Sequence, residues 1–171
     1  SPPASADAST TVDTGSPNAP TMTAEPTYTQ GTSNTVAWSD ESGSGATEYY
    51  AERATDAGFT TGLANSGWIA GTSNEFTGLA DGQIYYYRVK ARDAALNESG
   101  WSASESSTQD DTAPTSSVDA LPAYQTALTF DVAYTASDAT SGMASVELFY
   151  QVDSGGYSSY GTFTSSPISF T

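Results

Sequence analysis

"IYYYRVKARD", residues 84–93, sets three tyrosines in a row and then Arg88, Lys90 and Arg92 at every second position. Alternation sends Tyr85, Tyr87, Val89 and Ala91 to one side and Tyr86, Arg88, Lys90 and Arg92 to the other, which is the period of a half-buried β-strand. The chain has 4 Lys+Arg against 20 Asp+Glu, so three of its four cations fall on one face of one strand.

The stretches around it follow the same period. "NTVAWS" puts Val36 and Trp38 on one face. "TEYYAERA" puts Tyr49, Ala51 and Arg53 on one face and Glu48, Tyr50 and Glu52 on the other. Short runs of this kind, divided by Gly, Ser, Asn and Asp, predict an all-β sandwich with almost no helix. If Arg88, Lys90 and Arg92 face Glu48 and Glu52 across neighbouring strands, each opposite-charge pair contributes roughly 0.2–1 kcal/mol. The cluster then serves the fold, with a recognition patch on the same face as the alternative.

"GLADGQIYYYRVKA" resembles the fibronectin type III pattern, with Leu79, Gly82 and Tyr85 at its marker positions. Trp38 matches that family's buried tryptophan and Tyr49 the tyrosine of its third strand. The resemblance covers residues 20–110 and implies that Tyr85 is a tyrosine corner, its hydroxyl bonding back to backbone.

Residues 1–19, rich in Pro, Ser and Thr, are expected to be an extended linker or arm. A second unit is expected over 111–171. There "ALTFDVAYTASD" carries Leu128, Phe130, Val132 and Tyr134 at alternating positions, and "VELFYQVD" carries Val146, Leu148 and Tyr150. "DSGGYSSYGTF" reads as a hairpin turning on Gly155 and Gly156. "DTAPT", "SDATSG" and "VELFYQVD" resemble a bacterial immunoglobulin-like repeat, but the unit is short of a full sandwich of about 100 residues. It is therefore expected to be incomplete, or completed by another chain.

A net charge of −16 repels phosphate, so neither nucleic acid nor an anionic membrane surface is an expected partner. Without His or Cys, the usual base of a serine nucleophile and the thiolate alternative are both missing. "VDTGS" (12–16) and "VDSGG" (152–156) echo the aspartic-protease motif, but Asp13 lies in the arm and Asp153 in a hairpin turn. No enzyme is expected and no cofactor is required.

Calcium is the metal to weigh, because it takes oxygen ligands. Asp93 and Asn97, the junction residues Asp110 and Asp111, and Asp138 are the candidate ligands, and the resemblance to calcium-stiffened arrays supports them. Trp68 and Trp101 are candidate platforms for a surface polysaccharide. Taken together, the resemblances imply a non-catalytic extracellular or cell-surface module. It would be a spacer, stalk or filament-forming adhesive repeat whose partners are neighbouring domains or identical subunits. The alternative is a carbohydrate-binding accessory module of a secreted glycoside-degrading enzyme.

Overall fold

The computed structural model describes residues 11–171, which divide into two units between Gln109 and Asp110. The first ten residues of the expected arm lie outside the described residues.

Among the described residues the first unit holds seven strands: β1 (Tyr28–Gln30), β2 (Ser33–Ala37), β3 (Glu48–Ala54), β4 (Ala64–Ile69), β5 (Ser73–Thr77), β6 (Ile84–Arg92) and β7 (Glu105–Asp110). One sheet runs in the order β1-β7-β6-β3-β4 and the other pairs β2 with β5. Beyond β2, Met22 bridges Trp38 and extends the smaller sheet by one short contact.

The period-two pattern carries through to packing. Along β6, Tyr85, Tyr87, Val89 and Ala91 are buried while Arg88, Lys90 and Arg92 are half-exposed. They join Val36, Trp38, Tyr49, Ala51, Phe76 and Leu79 in one core between the sheets. Trp38 and Tyr49 meet there at 5.9 Å between ring centroids. The Tyr49 hydroxyl accepts the Glu41 N–H at 2.7 Å and donates to Asp40 at 2.9 Å, so the ring is buried with its polar end satisfied.

Tyr85 OH accepts the Ala80 N–H at 2.9 Å, closing the turn between Leu79 and β6. Gly82 makes that turn with φ +72°, a value that strains any residue with a Cβ, and its N–H reaches Gln109 O at 2.8 Å. The side chain of Gln109 is itself buried and donates to the carbonyls of Gly31 and Ser33, which fixes the β1–β2 turn.

Residues 11–20 carry no strand, yet they are not a detached linker. Pro17 and Pro20 are buried, Asn18 N–H bonds Ser44 Oγ at 3.0 Å, and Asp13 O accepts from Asn97 Nδ2 at 3.2 Å. Composition argued for a spacer because it counts apolar surface; proline packing and backbone bonds hold this segment instead.

The second unit is built from β8 (Thr115–Val118), β9 (Phe130–Val132), β10 (Tyr134–Ser137), β11 (Val146–Gln151), β12 (Tyr157–Phe163) and β13 (Ile168–Phe170). β8 pairs with β10, β9 with β13, and β11 with β12, all antiparallel. The alternation expected from Leu128 to Tyr134 begins only at Phe130, and Leu128 is 95% exposed, outside any strand. In the β11–β12 hairpin the positive φ falls on Asp153, at 52°, and not on Gly155 or Gly156. Asp tolerates the left-handed region, and the Gly155 N–H then closes the turn on Val152 O at 3.1 Å. Only Val132, Leu148 and Ile168 are buried here, ringed by Phe130, Tyr134, Tyr160, Phe163 and Phe170.

Candidate functional site

The outer face of the five-stranded sheet gathers the cations. β3 and β6 run antiparallel with Glu52 opposite Arg88, Tyr50 opposite Lys90 and Glu48 opposite Arg92. Arg88 grips Glu52 Oε2 through Nε at 2.8 Å and Nη2 at 2.6 Å. Arg92 holds Glu48 Oε2 through Nε at 2.7 Å and Nη2 at 2.6 Å. Lys90 faces a tyrosine instead of an acid, and its Nζ reaches Glu98 at 2.5 Å.

Aromatic rings are layered between these cations. Arg88 lies 4.0 Å from the centroids of both Phe59 and Trp101. Lys90 lies 5.1 Å from Trp101, 5.4 Å from Trp68 and 5.5 Å from Tyr50. Arg92 lies 4.3 Å from Trp68. The result is a ladder in which Phe59, Arg88, Trp101, Lys90, Trp68 and Arg92 alternate ring with charge. Each partly exposed ion pair contributes roughly 0–1 kcal/mol and each cation–ring contact roughly 0.5–1 kcal/mol, so the ladder stabilises the face by the sum of several small effects.

Both tryptophans arrive by the same device. "SGW" occurs at Ser66–Gly67–Trp68 and again at Ser99–Gly100–Trp101. Ser66 Oγ accepts the Ala51 N–H at 3.0 Å and donates to Gly67 O at 2.6 Å. Ser99 Oγ accepts the Ala91 N–H at 2.9 Å and donates to Gly100 O at 2.8 Å. In each copy a serine hydroxyl stands in for a missing strand carbonyl, and the tryptophan two residues on falls across the outer face. β7 pairs with β6 only over Ile84–Tyr87. Farther along β6, Ser99 N–H bonds Ala91 O and Ser102 N–H bonds Val89 O, both at 2.8 Å, while Ser102 Oγ accepts the Val89 N–H at 3.0 Å.

Phe59 is placed by the β3–β4 loop, where it takes φ 55°. Asp56 anchors that loop, accepting the backbone N–H groups of Gly58, Thr60 and Thr61 and both threonine hydroxyls. The Thr61 hydroxyl and backbone N–H hold its carboxyl far below the ordinary carboxylate range.

Sequence reasoning named Trp68 and Trp101 but missed Glu98, Phe59 and the serines that position the rings. The repeated "SGW" was the signal available. The rings of both tryptophans are half-buried, with cations lying over them.

The calcium candidates are placed otherwise. Asp93 is buried and accepts Asn97 N–H and Asn97 Nδ2, both at 2.9 Å; the Asn97 side chain is the main cause of its lowered pKa. Asp138 loses hydration, which works to raise its pKa, but N–H bonds from Ser141, Thr140 and Gly142 prevail and lower it. Asp110 accepts the Thr112 N–H at 3.2 Å, and Asp111 beside it is exposed. Among the described residues no three or more His, Cys, Asp or Glu side chains are grouped so as to hold a metal ion.

The sandwich of this strand order is closed by a tyrosine bonding back across its turn. The first unit has the fibronectin type III-like fold. No protein-family profile matches the chain, and no curated protein sequence does. Among solved structures, an Fn3-like protein from Clostridium thermocellum is 21% identical, covering 59% of this chain and 99% of that one at a TM-score of 0.41. The FN1–FN3 domains of chicken CNTN1 are 14% identical, covering 91% of this chain and 56% of theirs at 0.49. A β-1,2-glucanase from Parabacteroides distasonis is 25% identical over 57% of this chain, at a TM-score of 0.46, and the match spans only 13% of the glucanase. The fibronectin type III-like sandwich thus positions the ladder on the open face of its larger sheet. Among the described residues no helix is long and apolar enough to cross a membrane.

Proposed function

We propose that this chain is a non-catalytic extracellular structural or adhesive module, serving as spacer, stalk or filament repeat of a larger surface or secreted protein. The observation that supports this reading is the state of the ladder. Arg88, Lys90 and Arg92 each hold a carboxylate of their own unit and each lie against rings of their own unit. Charges committed in this way stiffen a sheet and leave little to act on a substrate. Labelling intact host cells with an antibody against the first unit tests the placement. Signal before lysis is the expected result, and signal only after lysis would overturn it.

The second reading is a carbohydrate-binding accessory module. It is favoured by the two tryptophans and Tyr50 sharing one sheet face, with Tyr50 at 5.5 Å from Trp68 and 6.1 Å from Trp101. Retention on insoluble polysaccharide that disappears with Trp101→Ala, at unchanged melting temperature, would establish it in place of the first.

A further inference from the structure

The stretch ahead of β1 is held by both sheets of the first unit. On the smaller sheet Thr23 N–H bonds Ala37 O at 2.8 Å, Ser39 N–H bonds Thr21 O at 2.9 Å, and Met22 bridges Trp38. On the larger sheet Thr108 N–H bonds Thr27 O at 2.9 Å, and the hydroxyls of Thr29 and Ser107 meet at 2.6 Å. Between these anchors residues 23–26 lie in no strand. There the chain crosses from one sheet to the other at Glu25 and Pro26. Proline offers no N–H and turns the residue before it away from helix, so the crossing has no ladder of its own.

Glu25 holds the crossing from both sides. Its carboxylate accepts Asn34 Nδ2, on β2 of the smaller sheet, at 2.7 Å. Its N–H donates to Glu105 Oε2, on β7 of the larger sheet, at 3.4 Å. Opposite Glu105 stands Tyr87 of β6, whose buried hydroxyl feels the charge of Glu25 and, with the other sign, that of Arg53 on β3. Arg53 lies over the Tyr85 ring, and among the described residues neither Glu25 nor Glu105 takes part in an ion pair. A half-buried carboxylate is therefore set beside a second one, with the Asn34 amide to steady it. Burial, and with it the charge of Glu105, favour the protonated form of Glu25 over the ionised one, against the pull of the Asn34 bond.

We propose that residues 21–30 form a proton-sensitive strap, closed across both sheets in acid and lifting more often as pH rises. Once Glu25 gives up its proton, two like charges stand at the crossing and push the segment from the edge of β7. β1 ends the sheet order β1-β7-β6-β3-β4, so lifting it bares the backbone of β7 to solvent while the core beneath β3 and β6 stays packed. The inference rests on the first unit alone and does not depend on the role proposed for the chain.

Amide hydrogen exchange on the intact 171-residue chain, corrected for the intrinsic rate at each pH, tests it at pH 4.5 and pH 7.5. The N–H groups of Thr23, Ser39 and Thr108 report on the strap, because all three bond across it. Their protection is expected to be at least about three-fold lower at pH 7.5, through an opening that dilute urea barely promotes. Amides of β3, in the interior of the larger sheet, should instead exchange through an opening that urea strongly promotes. Glu25→Gln keeps an oxygen for Asn34 and should abolish the pH difference. Glu105→Gln keeps an oxygen for the Glu25 N–H and should shrink it. Equal protection at the two pH values would overturn the proposal. So would a common urea dependence for strap and β3 amides, or a pH difference that survives Glu25→Gln or is untouched by Glu105→Gln.

Discussion

At Tyr85 a single hydroxyl joins two parts of the first unit, because its ring fills the core while its oxygen takes the Ala80 N–H. Tyr85→Phe keeps the ring and orphans that N–H, which should cost about 1 kcal/mol and lower the melting temperature by roughly 4–8 °C in calorimetry. Glu25 shifts in the opposite sense from Asp40, Asp56, Asp93 and Asp138. Burial raises its pKa, the Asn34 amide (2.7 Å) lowers it, and the charge of Glu105 adds to the rise. A raised folded-state pKa means the folded protein holds the proton more tightly, so stability falls as pH climbs above the ordinary glutamate value of about 4.3. Glu25→Gln keeps an acceptor for Asn34 and removes the charge. It should raise the melting temperature at pH 7 and lose that advantage below about pH 4, where the native carboxyl is protonated in both states. The core residues were legible in the sequence, because alternation over 84–93 alone separates Tyr85 and Tyr87 from Arg88 and Lys90. The pull on Glu25 was not, since it arises from residues distant in sequence that only the closed sandwich brings together.

At the scale of elements, the two "SGW" segments do the work of strands that are missing or interrupted. Ser99→Ala leaves the Ala91 N–H without its acceptor beside a buried core, and Ser66→Ala does the same to Ala51. Each should cost about 1–3 kcal/mol in urea unfolding, and Ser99→Ala should also red-shift the emission of Trp101 as its ring loosens from Arg88 and Lys90. A control, Ser104→Ala, alters an exposed serine outside any strand and should change neither. Opposition of Glu48 and Glu52 to Arg92 and Arg88 could be read from strand parity joined to the fibronectin type III resemblance, which makes the third and sixth strands neighbours in one sheet, as β3 and β6 are. Glu98 as the partner of Lys90 could not, because it lies in a loop whose path depends on the serine hydroxyls. In the second unit the hydrophobic period located β9 and β11 but overran into Leu128, where nothing packs against the side chain.

Across the whole molecule the balance of charge sets the response to acid. Asp56, Asp93, Asp138 and Asp40 all have lowered pKa values, caused chiefly by N–H and hydroxyl donors in their own loops. A depressed folded-state pKa contributes stability above the unfolded value of about 3.9 and loses it as pH falls through the folded value. The urea midpoint should therefore drop between pH 5 and pH 2, and Asp56→Asn should flatten that drop while lowering the midpoint at pH 7. In the proposed role the ladder of rings and cations is a stabilising part of the first unit and not a binding site. Calorimetry of Trp101→Ala, paired with retention of both proteins on insoluble polysaccharide, tests it most directly. A melting temperature lower by several degrees, with no retention of either protein, is the expected outcome. An unchanged melting temperature, with retention present in the wild type and absent in the variant, would contradict it.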